Sequence, residues 1–367
     1  MNNIQNNKKL FGSGANPQFR NFDRQRLRWG WLLLIIILCF SIPLNAQSVS
    51  RVGTTAAPFL KIGVGGRALA MGEAYATRAE DVTGLFWNPA GLANLNNRQI
   101  VLNHFDYIAD LSYVFGGIAI PFPSLGTFGF SFSYLGMPEI ERTTIQFPDG
   151  NGEKVAANSF AAGLSFARSL TDRFSIGGSI KYVKENIWHC HSSAVAFDIG
   201  VLYHTIFKNL TIGMSISNFG TDLKMNGRDL LIQHDISEQV AGNNQNINAN
   251  LDTDKYPLPI LFRVGISSNL AKDFFAMEKY DFIIAVDAVH PNDNREYLNL
   301  GSEIKLYDLI ALRAGYRQLL LENREGGLTF GFGLCMNIMN YELALDYANV
   351  DFGRLDRSNK FSLIFSF

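Results

Sequence analysis

The stretch GGLTFGFGLCMNI, residues 326–338, alternates between two kinds of side chain. Its large apolar residues share one parity: Leu328, Phe330, Phe332, Leu334, Met336 and Ile338. Small or polar residues occupy the other parity: Thr329, Gly331, Gly333, Cys335 and Asn337. A period of two is typical of a β-strand with one apolar face. The stretch is therefore predicted to be a strand whose two faces meet different surroundings.

Segments of the same kind recur along the chain from about residue 98. About fourteen can be counted, and each is roughly the 9–11 residues that a tilted strand needs to cross a bilayer. They lie near 98–106, 112–121, 126–135, 157–168, 173–186, 193–204, 209–219, 258–270, 280–290, 296–306, 308–318, 326–338, 340–350 and 359–367. An even count suits a closed single-chain barrel. Residues 98–367 are thus predicted to form an all-β fold, a transmembrane antiparallel β-barrel of about 14 strands.

The chain ends in NKFSLIFSF, residues 359–367, with an apolar parity of its own. An exposed apolar last strand would aggregate in water. The hazard disappears if the strand is paired on both sides and its apolar face meets lipid, with aromatic residues at the membrane interface. This pattern also resembles the C-terminal signal that the barrel assembly machinery of the outer membrane recognises. The predicted assembly-signal residues are Phe361, Leu363, Phe365 and Phe367.

The connections and the charges support the same interpretation. Links after even-numbered segments are mostly short, whereas links after odd-numbered segments include 136–156 and 220–257. Short periplasmic turns that alternate with long outer loops are typical of outer-membrane barrels. Charges within the segments fall almost entirely on the parity that faces away from lipid, where they can be solvated or paired. The predicted lumen charges are Lys181, Asp198, Arg263, Asp287, Glu303, Lys305, Arg313, Arg317, Glu342 and Asp346.

Composition excludes several other classes. A net charge of −1 over 367 residues argues against a nucleic-acid partner. The mean hydropathy of +0.04 would suit a soluble protein, but lumen residues dilute the apolar signal of a barrel. A soluble secreted β-protein remains the alternative fold hypothesis. Cys190 and Cys335 provide neither a disulfide framework nor a metal site, so no metal or cofactor is predicted.

Residues 1–46 are predicted to be a signal peptide. Three arginines precede the apolar stretch WGWLLLIIILCFSI, and compact residues stand before Gln47. A membrane anchor is the alternative, although the apolar stretch is short for a span. Cleavage would place the mature chain in the outer membrane of a Gram-negative cell envelope, in contact with outer-membrane lipid.

Residues 47–97 do not resemble a spanning strand. Glycines allow close turns and close backbone approach, RALAMGEAYATRAE (67–80) is compatible with a short helix, and Asn88–Pro89 interrupts regular structure. The GVGG stretch lacks the strand and ribose carboxylate of a nucleotide-binding motif. About fifty residues ahead of a fourteen-strand barrel are enough to fill its lumen. Residues 47–97 are therefore predicted to be a hatch, or plug, within the barrel.

Two motifs of this segment resemble the PorV/PorQ family of outer-membrane proteins. They are FLKIGVGGRALAMGEA (59–74) and DVTGLFWNPAGLA (81–93). The family is related to the FadL family of fourteen-strand barrels for hydrophobic compounds, in which an Asn-Pro-Ala motif lies in an N-terminal hatch. The resemblance implies hatch or gate residues at Gly63, Gly65, Gly66, Arg67, Met71, Gly72, Asn88, Pro89, Ala90 and Gly91.

The resemblance implies a transport role or a role associated with type IX secretion, with secretion components, cargo or a hydrophobic solute as partners. A FadL-like conduit and a cargo-binding partner protein are both compatible with the sequence. An outer-membrane lipid hydrolase is a further alternative, because WHCHSS places His189, His191, Ser192 and Ser193 near a loop. In this position such residues are more often interfacial, and the protein is predicted not to be an enzyme.

Overall fold

The computed structural model describes residues 51–207, 210–235, 246–274, 280–322, 324–355 and 357–367. Their architecture is a single antiparallel barrel with a segment of chain inside it. The predicted signal peptide, residues 1–46, lies outside the described residues. None of the helices in the described part of the chain is long and apolar enough to span a membrane.

Fourteen long strands of the described residues form the barrel wall. They are β1 (Gln99–Asp106), β2 (Ser112–Phe122), β3 (Gly126–Gly136), β4 (Ala157–Thr171), β5 (Phe174–Ile187), β6 (Cys190–His204), β7 (Thr211–Gly220), β8 (Leu261–Asn269), β9 (Tyr280–Pro291), β10 (Tyr297–Leu306), β11 (Ile310–Leu319), β12 (Leu328–Ile338), β13 (Tyr341–Asp351) and β14 (Arg357–Ser366). The predicted all-β barrel with about fourteen strands is confirmed.

Each strand pairs with its neighbours in sequence, and β1 pairs with β14 to complete the circle. Leu102, for example, lies opposite Leu363 across this last pairing. The hydrogen-bonded ladder is regular along most of the wall. At the β6–β7 pairing the register shifts between Phe197 and Ile199, and Asn218 on β7 has a positive φ of 63°. This junction is one irregular part of the wall beside the lumen contents described below. The register also shifts between Ser169 and Thr171 and between Leu298 and Leu300.

Side chains alternate between the two faces of the wall, as the period of two requires. On β12, Phe332 is 50% exposed on the outside, whereas Thr329 is fully buried on the inside. On β14, Phe361 and Leu363 are exposed, whereas Lys360 and Ser362 are buried. A large apolar face therefore surrounds the barrel, which is the surface that a lipid bilayer covers.

The two ends of the barrel differ. At one end, here named the turn end, the strands are joined by short links such as 123–125, 172–173 and 339–340. The opposite end, here named the loop end, carries the long links 137–156 and 221–260. Helix α3 (Leu270–Phe274) lies in the longest link of the turn end.

The long links contain short antiparallel pairs of their own. Ile140–Glu141 pairs with Lys154–Val155, Leu223–Lys224 with Lys255–Tyr256, and Leu231–His234 with Ile247–Asn250. Asn226–Gly227 adds to the loop end of β6. These pairs build structure above the membrane-facing wall.

Most of residues 51–97, here named the lumenal segment, lies inside the wall, whereas residues 51–54 and 96–97 at its two ends are exposed. Their regular elements are α1 (Gly66–Ala70), α2 (Gly84–Trp87) and two 3₁₀ turns, Pro58–Lys61 and Pro89–Asn94. The helix suggested for 67–80 is shorter than expected. It ends at Ala70 because Gly72 and Glu73 both adopt a positive φ of 63°, which no right-handed helix accommodates.

The apolar core of the protein is also inside the barrel. Phe59, Tyr75 and Trp87 of the lumenal segment are buried against Phe105 and Phe115 of the wall. Burial of apolar surface is the main favourable term in folding. The lumenal segment therefore contributes much of the interior packing of this barrel.

Candidate functional site

The lumenal segment spans the barrel from end to end. Near the loop end, the Ala56 amide donates to Pro257 O at 3.0 Å and the Ala57 amide donates to Glu185 Oε2 at 3.2 Å. At the turn end, the Arg98 amide donates to Phe367 O at 3.2 Å. The chain thus enters at the loop end and reaches the turn end just before β1 begins.

Backbone approaches the wall closely where glycines face the segment. A Cβ on Gly315 of β11 would lie 2.2 Å from the amide nitrogen of Gly72, and a Cβ on Gly200 of β6 would lie 2.0 Å from Asn88 Oδ1. Any larger side chain at either wall position would displace the segment. Small wall residues therefore let the segment lie directly against β6 and β11.

Asn88 fixes the turn of the WNPAG motif. Its side-chain amide donates to Ala76 O at 2.7 Å and to Val201 O of β6 at 3.2 Å, and its oxygen accepts from the Ala90 amide at 3.1 Å. Pro89 begins the following 3₁₀ turn, where its missing N–H costs nothing. Asn88 thus caps the turn and also binds it to the wall.

A second anchor is a carboxylate of the wall. Asp287 on β9 is fully buried, and its Oδ2 accepts from the amides of Tyr75 and Ala76, both at 2.7 Å. Hydrogen bonds to an ionised acceptor are the strong ones. The middle of the segment is thereby held against β9.

A buried charge network joins the segment to three strands. Arg67 donates twice to Glu303 of β10, at 2.9 and 2.7 Å. Arg313 of β11 donates to the same carboxylate at 2.6 Å and to Asp346 of β13 at 2.6 Å. Arg67 also lies 3.5 Å from Asp81 within the segment. The two cations are shared among three carboxylates, and Glu303, Arg313 and Asp346 are buried.

Tyr75 extends this network. The buried Tyr75 hydroxyl donates to Asp81 Oδ2 at 2.7 Å. The Arg67 guanidinium lies 5.7 Å from the centre of the Tyr75 ring. The phenol therefore links the carboxylate and the cation of the same segment.

The network predicts a large stability effect for Arg313→Met. The substitution leaves Asp346 buried without its cation, and such a loss costs about 3–5 kcal/mol. The temperature at which unboiled protein in SDS changes its gel migration is expected to fall clearly. The matched control is Arg142→Met, which removes an exposed ion pair with Glu153 and is expected to leave this temperature unchanged. Equal behaviour of the two variants would contradict a structural role for the network.

The other predicted lumen charges are distributed along the wall. Lys181 and Asp198 form a pair at 2.8 Å beside Asn218, whose amide donates to Asp198 at 2.7 Å. Arg263 lies over the Trp87 ring at 5.3 Å, and Arg317 pairs with Glu73 at 3.0 Å. Lys305 and Glu342 line a cavity of about 130 Å³ near the turn end, together with Arg67, Glu303, Arg313 and Asp346.

The ten residues predicted for the hatch motif all lie within the lumenal segment. Gly66 donates from its amide to Ser362 Oγ of β14 at 2.8 Å. Met71, Pro89, Ala90 and Gly91 are buried. A Cβ on Gly91 would overlap Ala79 O at 1.7 Å, so this position accepts no side chain in the present packing.

The assembly-signal residues line the outside of β14. Phe361, Leu363 and Phe367 are exposed, and Phe365 stacks between Tyr341 and Phe367. The structure places them on the outer face of the wall, which a lipid bilayer covers. Their proposed use as a signal stays a prediction.

The structure separates His191 from Ser192, two of the residues considered for a hydrolase. His191 is exposed on the outer face of β6, whereas Ser192, one residue along, is buried on the inner face. His189 lies in the preceding turn and contacts Asp229 at 3.0 Å and Arg228. Because consecutive strand residues point to opposite faces, His191 and Ser192 do not form a nucleophile–base pair.

Several residues of the lumen were missed by sequence reasoning. Glu73, Tyr75 and Asp81 belong to the segment, where no strand period marks them. Lys360 is different, because it lies on β14 at the same parity as Ser362 and Ile364. Strand alternation alone could have assigned Lys360 to the lumen.

These features define a class of protein, an outer-membrane β-barrel with part of its own N-terminal region packed inside the wall. The family model described as "Type IX secretion system protein PorV" matches residues 45–228. The chain belongs to the PorV family, whose barrels are FadL-like. With this localisation, the loop end faces the cell exterior and the turn end faces the periplasm.

Solved structures show the same fold at low sequence identity. The Ralstonia pickettii toluene transporter TbuX has a TM-score of 0.51 and 12% identity, over 83% of this chain and 97% of that chain. The monoaromatic hydrocarbon channel CymD has a TM-score of 0.51 and 14% identity over the same shares. A search of curated proteins finds no match. The family and fold support a transport or secretion role in the outer membrane.

Proposed function

We propose that this protein is a cell-surface component of type IX secretion, in which a closed barrel anchors a partner or cargo polypeptide at its loop end. The observation that carries the proposal is the hairpin of Leu231–His234 and Ile247–Asn250. Seven of its eight residues are exposed, and the eighth, Ala249, is half-buried. An isolated two-stranded hairpin is marginally stable in water. A partner that covers this hairpin would stabilise it.

The chemistry of the hairpin favours a β-rich partner. Leu231, Ile232 and Ile247 are exposed large apolar residues, and the two strands pair only with each other within the described residues. An unpaired apolar strand edge is a template for strand addition by another chain. Main-chain hydrogen bonds would supply affinity, and the apolar side chains would supply buried area.

The packing of the lumenal segment inside the wall supports an anchoring role over free diffusion of solutes through the barrel. In this proposal residues 47–97 act as a hatch, with Arg67, Asn88 and Gly72 among the residues that hold it closed. The segment makes charge-assisted contacts to β9 and β10, and its backbone lies close to wall glycines such as Gly200 and Gly315. Such a barrel keeps the membrane sealed while its outer loops engage a protein.

The experiment uses a deletion strain of the host, complemented with variants of this protein. Leu231→Thr, Ile232→Thr and Ile247→Thr together remove apolar area but retain strand propensity. We expect secreted type IX cargo to fall several-fold with normal amounts of folded barrel in the membrane. The matched control is the triple variant Ile140→Thr, Ile145→Thr and Phe147→Thr in the other long loop. Normal cargo secretion in the deletion strain would contradict the proposed role.

A second candidate is a conduit for hydrophobic compounds, favoured by the β6–β7 junction. A lumen pocket of about 30 Å³ touches Asn218 on the inside. An apolar groove of about 880 Å³ touches Phe197, Ile199 and Phe219 on the outside. The wall between the pocket and the groove is bridged by the Lys181–Asp198 pair, which joins β5 to β6, and by the hydrogen bond from the Asn218 amide to Asp198, which joins β7 to β6. Lost uptake of toluene by the deletion strain, with normal cargo secretion, would favour this candidate.

A further inference from the structure

A cavity of about 330 Å³ opens at the loop end, between the lumenal segment and the wall. Its floor includes Pro58, Ile62 and Glu73 of the segment, and its sides include Tyr107, Tyr297 and Phe352. Pockets for small molecules generally span about 300–1,000 Å³ and combine apolar walls with a few polar groups. The cavity has the size and the lining of a site for a compact ligand.

The unusual group in this cavity is Lys360. Its side chain is 1% exposed, on the inner face of β14. Its Nζ lies 3.9 Å from the ring centre of Phe105, 5.1 Å from that of Phe352 and 5.8 Å from that of Tyr107. Among the described residues, no carboxylate lies within ion-pair distance of Nζ. A buried ammonium without an anion is costly.

The carboxylates that line the cavity are already paired. Glu73 lies 3.0 Å from Arg317, Asp293 pairs with Lys61, and Glu325 pairs with Arg354. These pairs leave Lys360 as the lining cation without a counter-ion. Arg317 adds a second positive charge nearby, because its guanidinium lies 5.3 Å from the centre of the same Phe352 ring.

We infer that this cavity binds a small organic carboxylate, whose charged group pairs with Lys360 and whose apolar part lies against Tyr107 and Phe352. The aromatic rings supply cation–π attraction to the ammonium, but they supply no negative charge. A carboxylate completes the ion pair that the protein omits. A compact apolar body suits the apolar part of the lining, which includes Pro58, Ile62 and Tyr297, whereas the rest of the lining is polar: Lys61, Glu73, Asp293, Asn294, Arg317, Gln318 and Glu325.

The site is independent of the proposed secretion role. It is lined by the segment, by strands β8 to β11 and β14, and by the short links that follow β1, β9, β11 and β13. The hairpin of Leu231 and Ile247 lies in the link between β7 and β8. A ligand here would contact both the segment and the wall. Its binding would therefore stabilise the closed arrangement of the segment by mass action.

Calorimetric titration of the intact protein in lipid nanodiscs, in buffer of low chloride, tests the inference. The probes are benzoate and its neutral analogue benzyl alcohol. We expect saturable binding of benzoate and an affinity for benzyl alcohol that is at least tenfold weaker. Lys360→Met is expected to weaken benzoate binding at least tenfold, and Lys360→Arg to retain most of it. The control Lys154→Met changes an exposed lysine of an outer loop and is expected to bind normally.

Three results would overturn the inference. The first is the absence of saturable benzoate binding by the intact protein. The second is unchanged affinity in Lys360→Met protein that still shows heat-modifiable gel migration. The third is displacement of benzoate by chloride at similar concentrations, which would identify a general halide site. If Lys360→Met does not fold, Lys360→Gln and the comparison of benzoate with benzyl alcohol on the unchanged protein still decide the outcome.

Discussion

Deleting residues 48–95 behind the predicted signal peptide is expected to turn an almost non-conducting barrel into an open pore. The fourteen strands pair with one another and not with the segment, so the wall retains its hydrogen bonds, as a membrane-spanning sheet must. The deletion removes the apolar residues and Arg67 from the lumen and leaves Asp287 and Glu303 facing water. Planar-bilayer recordings should show large, steady ion conductance for the truncated barrel and little for the full-length protein.

A milder variant tests whether the hydrogen bonds that hold the segment matter for closure when the segment itself is still present. Asn88→Ala with Pro89→Ala removes the hydrogen bonds to Ala76, Ala90 and Val201 but retains the bulk of the segment. We expect brief, flickering current from this variant. If the full-length protein already conducts like an open porin, the segment does not close the lumen. Should the truncated barrel not assemble, the double variant still tests the closure.

Phe332→Arg is expected to prevent stable insertion in the membrane. Phe332 lies at the middle of β12 on the lipid-facing side and is half exposed there. An arginine at the bilayer midplane costs roughly 2–4 kcal/mol, but near the interfaces the cost is roughly 0–1 kcal/mol. Ile338→Arg, on the same face of the same strand but at the turn end, is therefore the matched control. Heat-modifiable protein in the outer-membrane fraction measures the difference.

Equal insertion of the two variants would show that β12 does not cross the membrane at the expected depth. Gly333→Arg is not a useful control, although alternation alone suggests that an inward arginine is tolerated. A Cβ on Gly333 would lie 2.4 Å from Asp346 Oδ1 and 2.6 Å from Arg313 Nη1. The charge network already fills the space that an inward arginine needs.

The wall of this barrel was predictable from sequence because its signal is local. Each strand repeats a two-residue period over about ten residues, and each apolar parity meets lipid. Phe332 and Phe361 could be placed outside, and Glu303 and Asp346 inside, without knowledge of any contact. The number and order of the strands follow from this pattern and from the lengths of the links.

The contents of the lumen were much less predictable. Arg67 and Glu303 are separated by 236 residues, and no local period relates them. Helix α1 stops after five residues because Gly72 and Glu73 turn left-handed against β10 and β11. The irregular pairing at Asn218 and the absence of a carboxylate beside Lys360 among the described residues depend on the final packing of several strands. Such features come from tertiary contacts, which outweigh local propensity.

The path of the lumenal segment constrains the order of assembly. Its upstream end contacts Pro257 and Glu185 on the exterior side, while its downstream end joins β1 next to Phe367 on the periplasmic side. A closed ring of hydrogen bonds between β1 and β14 surrounds the chain between these points. The segment must therefore take its position before β1 pairs with β14, or its upstream end must later pass through the closed barrel. Pairing of β1 with β14 would then be the step that encloses the lumenal segment.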